Sequence, residues 1–342
     1  MGGIPELPIG LATLPSEQPA GLPATGPGSL FDDRLLPTIA APDSTDCSLK
    51  ARAAAAFEGV SVLRSGQLCV DHDSFGVRPD AAARCAAPAF DTLNSTLAEL
   101  TDDGGSAPGA ALRIDMFGPV TLAVELLRAG VERPRAIEAA RMACVYQSEA
   151  VFNAARSAHP TIAIAVVMVE PGLVGSMHPT FALGAREVRS LLDPVVDALD
   201  RVAGATEVLI GIHVPGRADW RTIISSGVSL LSMPPDAALI GWAPWIQALL
   251  DNGGHIAWGA VPVDRPLGTS AELLWRHLAA TWRDLASAGV DRDQLLRRSL
   301  VAPSDGLGAF APEQVAGVVS VVDALAQRIH EHVGSTLTPV LA

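Results

Sequence analysis

Five residues of this 342-residue chain have side chains and positions suited to shared chemistry: Asp115, Glu170, His213, Asp264 and Asp305. Each ends or follows a short apolar run and sits among turn formers. The segments read Asp115-Met116-Phe117-Gly118-Pro119, Val169-Glu170-Pro171-Gly172, His213-Val214-Pro215-Gly216, Val261-Pro262-Val263-Asp264 and Pro303-Ser304-Asp305-Gly306. An imidazole with an ordinary pKa of about 6.5 exchanges protons near neutrality, so His213 is the expected acid and base. Glu170 and Asp264 are its expected catalytic companions, and Asp115 and Asp305 the expected binding groups. An Asp with a pKa of about 3.9 serves as acid or base near neutrality only if strongly shifted, which bears on Asp264. Arg217 or Arg265 would hold an anionic substrate. A variant is a hard, oxygen-ligated metal on His213, Asp305 and Glu170. The plain alternatives are that Glu170 pairs with an Arg, that Asp305 caps a helix, and that His213 is a satisfied core residue.

Bringing these residues together is a task for the elements around them. Strand-like runs fall at Ala111–Phe117, Thr161–Val169, Glu207–Val214, Val228–Met233, His255–Val261 and Ser299–Ala302. Helix-like runs alternate with them: Pro119–Ala129, Pro134–Ala158, Ala185–Val202, Asp219–Ser226, Pro235–Asp251, Ser270–Ala288 and Pro312–His332. Short apolar strands without polar alternation suit a parallel sheet covered on both faces. Ile9–Leu14 and a strand within Val60–Val70 bring the count to about eight, which predicts an α/β fold of the (β/α)8 TIM-barrel class. A doubly wound sheet would carry a Gly-rich phosphate turn, and neither GxGxxG nor GxxxxGK[ST] occurs. The first 43 residues hold eight of the 26 prolines, so residues 1–50 read as an irregular arm and 51–342 as the barrel. Barrel strands present their C-terminal ends to one mouth, which is where the five residues would meet.

Composition narrows the partners. Net charge is −13 and aromatics are 4%, which argues against a phosphate-backbone binder and weakens base stacking, so no nucleic-acid partner is expected. Apolar runs such as Thr161–Met168 fall short of the roughly 20 residues of a membrane span. The only lysine, Lys50, lies outside any recognisable site, so Schiff-base chemistry is not expected. Cys47, Cys69, Cys85 and Cys144 have no short ligand spacing. They read as reduced thiols of a cytoplasmic protein, and no secretory leader precedes Arg34. There is no GxSxG or HExxH. Asp71-His72-Asp73 reads as a turn before a metal site. His330 and His332, two residues apart, do not share a helical face.

Read in order, the strand ends resemble the C-terminal barrel of cobalamin-independent methionine synthase, within the superfamily that includes uroporphyrinogen decarboxylase and zinc-dependent alkyl-thiol transferases. The matching pieces are Phe117-Gly118-Pro119-Val120-Thr121, Val169-Glu170-Pro171, His213-Val214-Pro215-Gly216, Trp258–Ser270 and Pro303-Ser304-Asp305-Gly306-Leu307. Ala12-Thr13-Leu14-Pro15 resembles the family's opening segment. The resemblance implies a barrel and, in the family, a zinc ion that binds a thiol as thiolate. Here the matching ligand positions hold His213, Pro215, Met233 or Pro234, and Asp305. The position of the amine-binding Asp holds Val169, and that of the proton-transferring His holds Asp264. No zinc and no other cofactor is therefore expected. The resemblance points to a divergent barrel that binds a small-molecule ligand at its mouth, with altered metal-free chemistry. One alternative is a non-catalytic barrel acting as a binding or partner protein. Another is a methyltransferase whose metal site draws on Cys69, Cys85 or Cys144.

Overall fold

Runs such as Ala-Ile-Ala-Val-Val-Met-Val expose no polar face, so they pair as strands with cover on both sides. The computed structural model describes residues 12–13, 35–36, 49–81, 111–158, 160, 163–204, 208–263, 270–307, 310 and 312–337. In chain order the elements are β1 (Ala12–Thr13), β2 (Leu35–Leu36), α1 (Leu49–Ala54), β3 (Phe57–Glu58), β4 (Val60–Val62), β5 (Leu68–Val70) and β6 (Gly76–Val77). Then come β7 (Ala111–Phe117), α2 (Pro119–Arg128), α3 (Arg133–Ala158), β8 (Ala163–Val169), α4 (Ala185–Ala203), β9 (Val208–His213) and α5 (Trp220–Ile224). The rest are β10 (Leu230–Met233), α6 (Ala243–Asp251), β11 (His255–Val261), α7 (Ala271–Ser287), α8 (Arg292–Arg297), β12 (Ser299–Pro303) and α9 (Pro312–Leu337). The six long strands fall where the apolar runs predict them, within two residues at each end.

The chain divides into two compact units, residues 38–228 and residues 3–37 with 229–342. In the first, β7, β8 and β9 pair in parallel and in chain order, with Asp115 opposite Val167 and Val167 opposite Gly211. Helices α2, α3 and α4 fill the crossovers. The buried positions of α4, including Val188, Leu191, Leu192, Val195 and Leu199, recur at three and four residues and form its apolar stripe. The segment 57–77 folds as two antiparallel pairs, β3 with β6 and β4 with β5. The single barrel strand expected within Val60–Val70 is thus a hairpin. Gly66, at φ 78°, takes the left-handed conformation that reverses the chain after Leu63.

In the second unit β10, β11 and β12 also pair in parallel and in chain order. β1 lies against β12 and pairs in parallel with β2. Among the described residues eight strands thus take part in parallel pairings, β1 and β2 as a pair of their own. Consecutive parallel strands laid down in one direction, with helices between them, are the winding of the (β/α)8 TIM-barrel class. A doubly wound sheet reverses its strand order. No helix among the described residues is long and apolar enough to cross a membrane.

Candidate functional site

β7 and β8 both run into a residue followed by proline, Gly118-Pro119 and Glu170-Pro171. Pro119 opens α2 without an N–H, and Gly118 has no side chain to cap the helix. The Glu170 carboxylate does so from the end of β8. Its Oε1 accepts from the Val120 amide at 2.9 Å and its Oε2 from the Thr121 amide at 2.6 Å. The Thr121 hydroxyl donates to Oε2 at 2.5 Å and accepts from the Gly172 amide at 3.0 Å. The Glu170 amide donates to the His213 carbonyl at 2.8 Å, which ties in the end of β9. Glu170 is fully buried. Burial pushes its carboxyl up to about 7, against the hydrogen bonds from Thr121 and Val120 that pull it down. Both glycines are required by contact. A Cβ on Gly118 would stand 2.1 Å from the Glu170 carboxyl carbon, and one on Gly172 would stand 2.7 Å from Thr121 Cα.

His213, buried, is the last residue of β9 and lies in register with Val169 and Phe117. Asp115 and Arg113 share that face, because alternate residues of a strand point the same way. Arg113 Nε meets Asp115 Oδ1 at 2.6 Å, and both side chains are buried. Arg52 of α1 donates to the Asp115 carbonyl at 3.4 Å. Asp115 and His213 thus occupy one face, whereas the Glu170 carboxylate is spent on the start of α2. Asp305 belongs to the other unit; it is exposed and accepts from the Gly306 amide at 2.8 Å. Asp264 and Arg265 lie outside the described residues. Among the described residues no three His, Cys, Asp or Glu side chains are grouped to hold a metal ion. Asp71 makes a turn, accepting from the Ser74 hydroxyl at 2.6 Å and the Asp73 amide at 3.2 Å, bonds that hold it below the usual carboxylate range. Lys50 pairs with Glu125 at 3.2 Å.

The loops after β8 and β9 add residues that the strand-end reading missed. They are stitched together by the Glu170–His213 bond, by Gly175 N–H to the Arg217 carbonyl at 2.9 Å, and by Asp219 N–H to Ser176 Oγ at 2.9 Å. Between these loops and the start of α4 lies a cavity of about 220 Å³, whose walls include Ser176, His178, Phe181, Val188, Asp219 and Thr222. The Asp219 carboxylate caps α5, accepting from the Thr222 amide at 3.2 Å and the Thr222 hydroxyl at 2.7 Å. His178 Nδ1 lies 2.8 Å from Thr180 Oγ1. Ser176 and His178 therefore face other partners and do not form a nucleophile–base pair. One signal was available in the sequence. The link from Val169 to Ala185 far exceeds the roughly 2–6 residues of an ordinary βα connection, and long links are where binding loops occur.

No protein-family model and no curated protein matches the chain. Among solved structures it is similar to a fungal β-1,4-galactanase at 10% identity, over 69% of this chain and 82% of that one, with a TM-score of 0.38. It is also similar to Old Yellow Enzyme from Pichia sp. at 11% identity, over 72% and 67%, with a TM-score of 0.32. A Podospora anserina β-(1,4)-mannanase gives 13% identity, over 72% and 51%, with a TM-score of 0.30. Likenesses of this size carry no functional argument.

Proposed function

We propose that the chain is a divergent barrel of the superfamily that includes cobalamin-independent methionine synthase and uroporphyrinogen decarboxylase, and that it binds a small polar molecule where the loops after β8 and β9 meet. The superfamily reading rests on the ordered strand-end motifs, and the observation that carries the binding reading is the cavity there. Ser176, His178, Asp219 and Thr222 converge beside apolar Leu173 and Phe181, the mixture typical of ligand sites. It opens among loops at the C-terminal strand ends, where barrels of this class work. Asp219 favours a ligand with a hydroxyl or ammonium group. His213 is the proposed acid and base of any reaction, on the strand face it shares with Asp115. Thiolate-zinc chemistry is not part of the reading, since Pro215 and Met233 or Pro234 lack the needed donors. Its cysteines, read as reduced thiols, suit a cytoplasmic protein.

One observation favours a second reading, a barrel that binds without catalysis or serves a partner protein. Glu170, the acid that the resemblance carries over intact, has both oxygens engaged by α2. A melting screen with folate, homocysteine, free amino acids and small polyols separates the cases. Under the proposal a ligand raises the wild-type midpoint, and at 100 times Kd adds about 2.7 kcal/mol of stability. Ala185→Trp, which fills the cavity from the exposed first turn of α4, abolishes that shift. A ligand that binds and is recovered unchanged favours the second reading. No shift with any compound in either form contradicts both ligand-binding readings. Zinc content should fall far below one ion per chain after dialysis, and stoichiometric zinc would overturn the alignment of ligand positions.

A further inference from the structure

In the unit that ends the chain, helices α7 and α8 border a cleft of about 470 Å³. It uses no residue of the site proposed above. Its floor is Trp275, Trp282, Leu295 and Leu296. Trp282 is 6% exposed and meets Trp275 edge-on, with ring centres 5.8 Å apart at 83°. Behind it, Trp258 packs at 6.5 Å. Trp258 Nε1 donates to Ser299 Oγ at 2.9 Å, and that hydroxyl donates to the Leu295 carbonyl at 2.6 Å. The floor is therefore braced from both helices and from β12. The buried indole N–H of Trp282 takes no acceptor among the described residues, which leaves an unused donor in this wall.

The rim has the opposite character. Arg283 of α7 and Arg292 of α8 border the cleft and are exposed. Among the described residues neither takes an ion pair, whereas nearby Arg276 and Arg328 both bind Glu272. Asp284, Asp291 and Asp293 flank these arginines in sequence, yet among the described residues neither guanidinium is engaged by a carboxylate, so both forks are open to an anion. Ala279 and Ala286 lie on the α7 side of the cleft and keep it open by their small size. Guanidinium forks match carboxylates, and indole rings receive flat apolar rings. The volume falls within the range of small-molecule sites.

We propose that this cleft binds a flat aromatic carboxylate, its ring on Trp275 and Trp282 and its carboxylate at Arg283 and Arg292. The test is calorimetric titration of the full chain, with tryptophan fluorescence alongside, using 2-naphthoate and its neutral counterpart 2-naphthamide. The expected result is one naphthoate per chain with quenching, and naphthamide weaker by about tenfold or more. R283Q/R292Q should lower naphthoate binding to the naphthamide level; both positions are exposed, so the fold is retained. A279L/A286L should abolish binding of both compounds. The proposal is overturned by equal affinity for the two compounds, by naphthoate binding that R283Q/R292Q leaves unchanged, or by no saturable binding at millimolar concentration. A dimer in sedimentation that A279L/A286L dissolves assigns the cleft to a second copy of the chain, and also overturns it.

Discussion

The carboxylate of Glu170 caps a helix that begins at Pro119, far earlier in the chain, and the neighbouring residues are chosen around it. Gly118 leaves the space that its carboxyl fills. Gly118→Ala should destabilise the fold by about 1–3 kcal/mol or more, the cost of forcing an extra carbon into a packed site, as read by urea unfolding. Thr121→Val keeps the shape but removes the hydroxyl that links Glu170 to Gly172. It should cost about 1–3 kcal/mol, because two polar groups lose a partner. The sign of the pH effect follows from the raised carboxyl. Its folded value is about 7, above the unfolded value of about 4.3, so between these values the folded state binds more protons. The contribution of Glu170 to stability therefore falls as pH rises through that window. Glu170→Gln should remove this falling contribution, so wild type loses stability relative to the variant from pH 4.5 to 7. A constant difference across that range would show that the carboxyl is not shifted. The pieces of this hub, Gly118-Pro119 with Thr121 and Glu170-Pro171, were legible in the sequence. Their use as a cap was not, because a residue string does not say which helix a distant carboxylate will reach.

At the scale of elements, the long strands could be read because a run such as Ala163–Val169 has no polar face to expose. Val60–Val70 misled because Val60 and Val62 alternate with exposed Ser61, as one strand would, while the turn at Ser65-Gly66 reverses direction. Leu35–Leu36 offers two residues amid a proline-rich segment, too few for any period to register. The pairing of Arg113 with Asp115 was implicit in a spacing of two on a strand. The binding loops had no period at all, so Ser176, His178 and Asp219 emerged only once the chain was folded. Ser176→Ala removes the acceptor of the Asp219 amide that joins the two loops. It should cost about 0.5–1.5 kcal/mol and should speed proteolytic cleavage near exposed Val174. Unchanged cleavage would mean that the other two stitches suffice.

Across the whole molecule, Glu170 in one unit and His255 in the other respond to acid with opposite signs. In the second, burial first and then the charge of Arg298 push His255 down to about 4. Its unfolded value is near 6.5, so the unfolded state binds the extra proton between these values. The stability His255 contributes is complete above about pH 6.5 and is lost as pH falls toward 4. His255→Leu should flatten this acid-side loss when followed by hydrogen exchange in β11, whereas amides of β7–β9 should follow Glu170. Small-molecule binding after β8 and β9 is read by titration on the full chain. The compound that gives the largest melting shift is titrated calorimetrically into wild type, Ala185→Trp and R283Q/R292Q. One site per chain is expected in wild type and R283Q/R292Q, and none in Ala185→Trp. Binding to Ala185→Trp with wild-type affinity would contradict a site in this cavity.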